Sequence, residues 1–251
     1  MSFESNTYRI SHHNDTIVMI KKVFIGAAFL LLSASITQPV SAQSIIPQPE
    51  SITRQQGTFT LAKGLQGVTN LKGEAFKILN QYTSYVMSIP FSSVKNPAAD
   101  APFRLICTGT EQEAAMAADS VSLQGYELNV TPTAVTIQAR TPMGLFYGLQ
   151  TLRQLEQDRQ IPCVKITDTP RFAYRGLMID CSRHFWWKDE IKKQLDAMAY
   201  FKLDRFHWHL TDGGGWRMEV KQYPRLTEET AYRTESDWTK WWNRKNRQYS
   251  P

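Results

Sequence analysis

Two strand-like runs in the last third of the chain, Leu177-Met178-Ile179 and Arg205 to Leu210, each end in a polar cluster, and a helix-periodic segment separates them. The first run is short and continuously apolar, as suits a parallel strand covered on both faces. It closes on Asp180, Ser182, Arg183 and His184, and the second run closes on Thr211-Asp212 followed by Gly213-Gly214-Gly215. Between them Ile191, Leu195 and Met198 mark one face of a helix of about fifteen residues, with Asp189 and Glu190 in its first turn, where the helix dipole favours acids. Strand, helix, strand with polar residues after each strand is the first step of a (β/α) barrel, whose active sites lie at the strand C-termini. Eight such steps take about 250 residues. Only some 80 follow Pro170, so the expectation is an incomplete barrel.

The preceding region has a different texture. Tyr126, Leu128 and Val130, then Val135, Ile137 and Ala139, are two period-two runs joined by Thr131-Pro132-Thr133, which predicts an antiparallel hairpin. A helix follows, with Thr141 as cap, Pro142 at the first helical position, and Leu145, Leu149, Leu152 and Leu155 on one face. Phe76, Leu79 and Val86 predict an earlier helix, and Phe103 to Cys107 a strand. The fold class expected is therefore α+β and α/β. A small α+β domain over residues 43–168 precedes the first βαβ portion of an incomplete (β/α)8 TIM barrel over residues 169–251.

Residues 1–42 read as an N-terminal extension and signal peptide. Lys21 and Lys22 precede the apolar run Val23 to Leu32, and Val40-Ser41-Ala42 supplies a small-residue cleavage site. Met19 fits the true start better than Met1. The run is too short for a stable membrane anchor, since a spanning helix needs about 20 residues. Export to the periplasm or the medium is the expectation, with Cys107, Cys163 and Cys181 buried and unpaired. With 42% apolar and 21% charged residues the chain is globular, and its excess of six basic groups is too diffuse for a nucleic-acid footprint.

All seven tryptophans fall between Trp186 and Trp242, a clustering that suits sugar binding, because indole faces stack on pyranose rings. Arg183 and Asp212 are the leading candidates for a site. A guanidinium at a strand end can grip two adjacent hydroxyls while a nearby acid holds polar partners in place, though the two could equally pair with each other. His207 and His209 share a strand face opposite Trp208 and could ligate a metal, which leaves a metal-dependent barrel hydrolase as one alternative. The glycine run lacks the downstream Lys-Ser/Thr of a nucleotide loop and reads as a tight turn.

Three stretches carry a resemblance. Tyr174-Arg175-Gly176-Leu177-Met178-Ile179-Asp180-Cys181-Ser182-Arg183-His184-Phe185, Met198-Ala199-Tyr200-Phe201-Lys202-Leu203 and Phe206-His207-Trp208-His209-Leu210-Thr211-Asp212 resemble the opening of the catalytic barrel of family 20 glycoside hydrolases, the β-N-acetylhexosaminidases. Residues Ile45-Ile46-Pro47-Gln48-Pro49 resemble the first strand of that family's N-terminal domain, and Gly125 to Leu152 its closing hairpin and helix. The resemblance implies removal of terminal N-acetylglucosamine or N-acetylgalactosamine from glycans with retention, the substrate's own acetamido oxygen attacking the anomeric carbon, and no metal or other cofactor. It also implies that Arg183 binds the 3- and 4-hydroxyls, that Asp212 supports it, and that His209 and Trp208 are structural supports. Where many members carry a second acid after Asp212, this chain has Gly213. The family's Gly-Gly-Asp-Glu, which orients the acetamido group and protonates the leaving oxygen, does not occur in these 251 residues. The chain is thus expected to be an N-terminal fragment, inactive alone, with a non-catalytic sugar-binding protein as the other alternative.

Overall fold

The structure, a computed structural model, describes residues 45–243. The signal-peptide assignment, including Met19, Lys21 and Ala42, lies outside those residues. Among these residues, nine strands and six α-helices run in the order β1 (Ser51–Thr60), β2 (Gly67–Thr69), α1 (Gly73–Val86), β3 (Phe91–Ser93), β4 (Phe103–Cys107), α2 (Glu111–Met116), β5 (Tyr126–Val130), β6 (Val135–Ala139), α3 (Pro142–Leu155), β7 (Gln160–Asp168), β8 (Gly176–Asp180), α4 (Lys188–Tyr200), β9 (Arg205–His209), α5 (Arg225–Glu228) and α6 (Trp238–Trp242).

The first seven strands form one mixed sheet in the order β1-β7-β5-β6-β4-β2-β3. The β5–β6 hairpin pairs Tyr126 with Ala139 through to Val130 with Val135, in the register that the alternation predicts. Its inward residues Leu128, Val130, Val135 and Ile137 are fully buried and meet Leu145, Leu149 and Leu152 of α3. Removal of that apolar surface from water is the main stabilising term here. Gly148 is a point of close approach between helix and sheet, because a Cβ there would stand 2.5 Å from Ile137.

Thr141 caps α3 as expected. Its hydroxyl accepts from the Gly144 N–H at 3.3 Å and donates to the Leu123 carbonyl at 2.6 Å, with the side chain wholly buried. Thr141→Ala is expected to lower the unfolding free energy by about 1–2 kcal/mol, seen as a lower urea midpoint at unchanged slope.

The β8 and β9 strands form a separate parallel pair, Gly176 opposite Arg205 through to Asp180 opposite His209, with α4 as the connection. Two networks join this unit to the larger sheet. In one, the Arg175 guanidinium donates to Lys202 O, Phe172 O, Gln124 Oε1 and Tyr147 OH at 2.7–2.8 Å, and pairs with Asp204 at 3.3 Å. In the other, Lys202 Nζ donates to Asp168 Oδ2 at 3.0 Å and to Tyr126 OH at 2.9 Å, beneath the surface.

Lys202 reaches that position through an uncommon backbone. It is the left-handed residue (φ +59°) after α4, with its N–H on Ala199 O at 3.0 Å and the Leu203 N–H on Met198 O at 2.8 Å. This is a Schellman cap, a place where glycine is the usual choice. A lysine accepts the left-handed conformation at a cost of about 1–2 kcal/mol, and its buried hydrogen bonds and ion pair offset that cost.

Several expectations are corrected. Residues 45–50 form no strand. Pro47 and Pro49 lack the N–H groups that a ladder requires, and pairing begins at Ser51. Neither face of β8 is fully covered, and Met178 is 53% exposed among the described residues. In α4, Ile191 and Met198 are buried, but Leu195 is exposed. Of the three free cysteines, Cys163 and Cys181 are buried while Cys107 is half-buried, with burial pushing its thiol pKa up.

Candidate functional site

The C-terminal ends of β8 and β9 converge on Arg183. Asp180, the last residue of β8, folds back so that Oδ1 accepts from the backbone N–H groups of Ser182 at 2.9 Å and Arg183 at 3.0 Å. This local turn is what an Asp favours two residues before a bend. It delivers the Arg183 side chain to Asp180 Oδ2, which accepts from Nη1 at 3.0 Å.

From the neighbouring strand, His209 Nε2 lies 2.9 Å from Arg183 Nη1 and 3.1 Å from Asp212 Oδ2. Asp212 Oδ2 also pairs with Arg183 Nη2 at 2.7 Å, and its Oδ1 accepts from the Gly213 N–H at 2.5 Å. Asp212 to Gly215 is a closed turn, with Gly215 N donating to Asp212 O at 3.1 Å. Its glycines admit close neighbours: a Cβ on Gly215 would stand 2.6 Å from Ser182 O.

These contacts decide which donors of Arg183 remain. A guanidinium has five N–H groups. Asp180 and His209 engage Nη1, and Asp212 Oδ2 is ion-paired with Nη2. The Nε–H and the Nη2–H beside it, which together form one edge of the planar fork, make no hydrogen bond among the described residues. The side chain is 36% exposed. Arg183 and Asp212, the two residues picked from the sequence, are brought together and pair with each other, and their pairing leaves a bidentate edge open.

The electrostatics favour the charged forms. Burial works to raise the Asp180 carboxyl, but the Arg183 and Ser182 N–H groups and the Arg183 charge outweigh it, holding the pKa below its ordinary value. The Gly213 N–H, with Arg183 and His209, holds Asp212 below the ordinary range as well.

The other candidates lie around this cluster. Trp208 lies on the strand face opposite His207 and His209, and its Nε1 donates to Cys181 Sγ at 3.1 Å. The rings of His207 and His209 are near parallel at 6.3 Å. Nε2 of His209 faces a guanidinium at 2.9 Å, which is incompatible with a cation at that nitrogen. Among the described residues no group of three or more His, Cys, Asp or Glu side chains is placed to hold a metal. Asp189-Glu190, the only adjacent Asp-Glu pair in the sequence, opens α4, where Glu190 accepts from the Trp187 N–H at 2.9 Å and Asp189 pairs loosely with Lys192.

Three residues of this cluster were not singled out from the sequence. Asp180 carried a usable signal, its spacing from Ser182 and Arg183. Arg217, which braces the turn by donating to Cys181 O at 3.1 Å and to Ser182 O at 3.4 Å, carried none. Trp238, whose ring centroid is 5.4 Å from the Arg183 guanidinium carbon, was visible in the sequence only as one of the clustered tryptophans. A cavity of about 760 Å³ lies at the opposite ends of β8 and β9, lined by Phe172, Arg175, Phe201 and Lys202 among others. It adjoins the networks that join the two sheets and not the Arg183 cluster.

An α+β sheet unit followed by a parallel βαβ unit with an Arg-Asp-His cluster at its strand ends agrees with two family descriptions. "Glycosyl hydrolase family 20, domain 2" matches residues 42–169, and "Glycosyl hydrolase family 20, catalytic domain" matches residues 172–251. The chain belongs to glycosyl hydrolase family 20, as an α+β domain with part of a barrel.

It is 46% identical over 129 residues to the beta-hexosaminidase of Porphyromonas gingivalis, covering 47% of this chain and 17% of that protein. It is 28% identical over 223 residues to beta-hexosaminidase subunit A1 of Dictyostelium discoideum, covering 84% of this chain and 40% of that one. Among solved structures, the beta-N-acetylhexosaminidase of Bacteroides fragilis matches with a TM-score of 0.62 at 30% identity, over 76% of this chain and 38% of that chain. An exo beta-N-acetylglucosaminidase of Vibrio harveyi in complex with N-acetylglucosamine matches with a TM-score of 0.60 at 30% identity, over 76% of this chain and 29% of that chain. The chain therefore spans well under half the length of each of these relatives.

Proposed function

We propose that this chain is the front portion of an exo-acting β-N-acetylhexosaminidase, which removes terminal N-acetylglucosamine or N-acetylgalactosamine from glycans by substrate-assisted hydrolysis with retention. The observation that carries the reading is the open Nε/Nη2 edge of Arg183. Two parallel N–H donors on one edge match two vicinal hydroxyls of a terminal pyranose. Asp180 and Asp212 hold the guanidinium in place, His209 Nε2 stands against both Arg183 and Asp212, and Trp208 supports the strand end from its other face.

In this division of labour the chain binds and orients the terminal sugar. Attack on the anomeric carbon comes from the acetamido oxygen of the substrate. Protonation of the leaving oxygen needs a carboxylic acid within hydrogen-bond reach of the glycosidic bond. Asp189 and Glu190, at the start of α4 and engaged there, do not meet that requirement. The sugar-binding half is taken to occupy residues 169–251 and the supporting α+β domain residues 43–168. Residues 19–42 are taken to direct export, which mass spectrometry of the mature N-terminus would test by the presence or loss of Ala42.

Purified residues 43–251 are expected to bind methyl N-acetyl-β-D-glucosaminide in an NMR titration and to leave 4-nitrophenyl N-acetyl-β-D-glucosaminide intact. Hydrolysis of the nitrophenyl substrate would refute the missing-acid part of the reading. A flat titration would refute its sugar-binding part.

A further inference from the structure

The glycine run and the tryptophan cluster converge on one contact that the proposed hydroxyl-binding site does not yet explain. Asp237 caps the short α6 by accepting from the N–H groups of Thr239 at 2.9 Å and Lys240 at 3.1 Å. That turn sets Trp238 against Trp242, with centroids 5.3 Å apart and planes 29° apart, and against the buried Trp241 at 5.2 Å. The Trp238 ring in turn carries two guanidinium groups, Arg183 at 5.4 Å and Arg233 at 5.3 Å. Beneath it lies Gly214, which is buried, and any Cβ at that position would overlap the Trp238 ring. The middle glycine of the run is therefore the seat of this indole.

Among the described residues, the polar partners of the Arg183 guanidinium all act at its Nη atoms. They fix the outer end of the guanidinium but leave it free to tip about the line joining Nη1 and Nη2, and tipping would swing the open Nε/Nη2 edge away from a ligand. A cation over an aromatic face resists that motion. We propose that Trp238 is a positioning residue for sugar binding: seated on Gly214, it fixes the plane of Arg183 so that its free edge meets a vicinal diol. This rests on the reading of Arg183 as the hydroxyl-binding group.

Two readouts on residues 43–251 separate the inference from that reading. In the first, the Arg183 Nε–H proton of the wild type is expected to be shifted upfield by the indole ring current, with slowed rotation about the Cζ–Nη bonds. Trp238→Leu should lose both features while the backbone amide spectrum elsewhere is kept, and Trp238→Phe should retain them. In the second, Trp238→Leu is expected to weaken binding of methyl N-acetyl-β-D-glucosaminide about tenfold, and Trp238→Phe to recover affinity to within about threefold of wild type. Gly214→Ala, which unseats the ring without removing it, should copy Trp238→Leu and serves in its place if that variant does not fold. Wild-type Arg183 signals and wild-type affinity in both Trp238→Leu and Gly214→Ala would overturn the positioning role. Absence of sugar binding by the wild type, with the Arg183 signals behaving as described, would instead overturn the hydroxyl-binding reading and the purpose assigned to Trp238.

Discussion

Asp168→Asn is expected to destabilise the chain by about 3–5 kcal/mol, the range for leaving one member of a buried ion pair without its partner. Asp168 Oδ2 accepts from Lys202 Nζ at 3.0 Å and from Tyr126 OH at 2.8 Å, and Oδ1 accepts from the Glu50 N–H at 3.3 Å. An asparagine keeps the shape and removes the charge. The asparagine oxygen still accepts from Lys202, but the buried ammonium then has no negative charge beside it, in a place where burial already pushes its pKa down. Burial and the neighbouring carboxylate also push the Tyr126 phenol up, so it cannot supply the missing negative charge. Urea unfolding monitored by tryptophan fluorescence gives the measurement. Adding Lys202→Met to Asp168→Asn should restore part of the loss, because the uncompensated charge leaves with the lysine. A single variant as stable as wild type, or a double variant no better than the single, would show that the pair is not carrying this load.

Arg183→Lys is expected to reduce binding of methyl N-acetyl-β-D-glucosaminide roughly 100-fold, or beyond detection. Two hydrogen bonds from a charged donor contribute about 1.5–3 kcal/mol each, and an ammonium cannot present two parallel donors on one edge. Stability should hardly move, by less than about 1 kcal/mol, because the Arg183 pairs are partly exposed and screened. Loss of binding at a constant urea midpoint is therefore the signature, and wild-type affinity in Arg183→Lys would remove Arg183 from the site.

The same cluster sets a pH limit. Asp180 and Asp212 are both held below the ordinary carboxylate value of about 3.9. Their hold on Arg183 is present above that value, and it is lost only as pH falls through their lowered pKa values. Sugar affinity should accordingly persist to about pH 4 and decline below it.

The parts of the fold legible from the sequence are those in which one face is covered by a neighbour close in the chain. The β5–β6 hairpin and the leucine face of α3 belong here, since each buries against the other and both periodicities survive intact. Met178 and Leu195 show the limit of the same signal. Periodicity marks an apolar position, but what covers it depends on elements elsewhere in the fold. Arg183 and Asp212 were legible because polar clusters after two successive strands stand out. Their actual arrangement, in which mutual pairing leaves one edge of the fork free, depends on side-chain geometry that spacing does not encode. Lys202 was hidden more completely. Its position after a helix is one where glycine is the usual choice, and only the buried Asp168, 34 residues earlier, explains a lysine there.

The networks around Arg175 and Lys202 also bear on how the chain is made. A ribosome releases Ser51 to Asp168 before it releases either cation, so Gln124, Tyr126, Tyr147 and Asp168 can already stand in a finished α+β unit when Arg175 and Lys202 emerge. At about 5–20 residues per second the interval is only seconds, yet small sheet units fold faster than that. The newborn β8–α4–β9 segment, with few apolar contacts of its own, therefore meets a ready template of acceptors and need not wait for later strands to hold it.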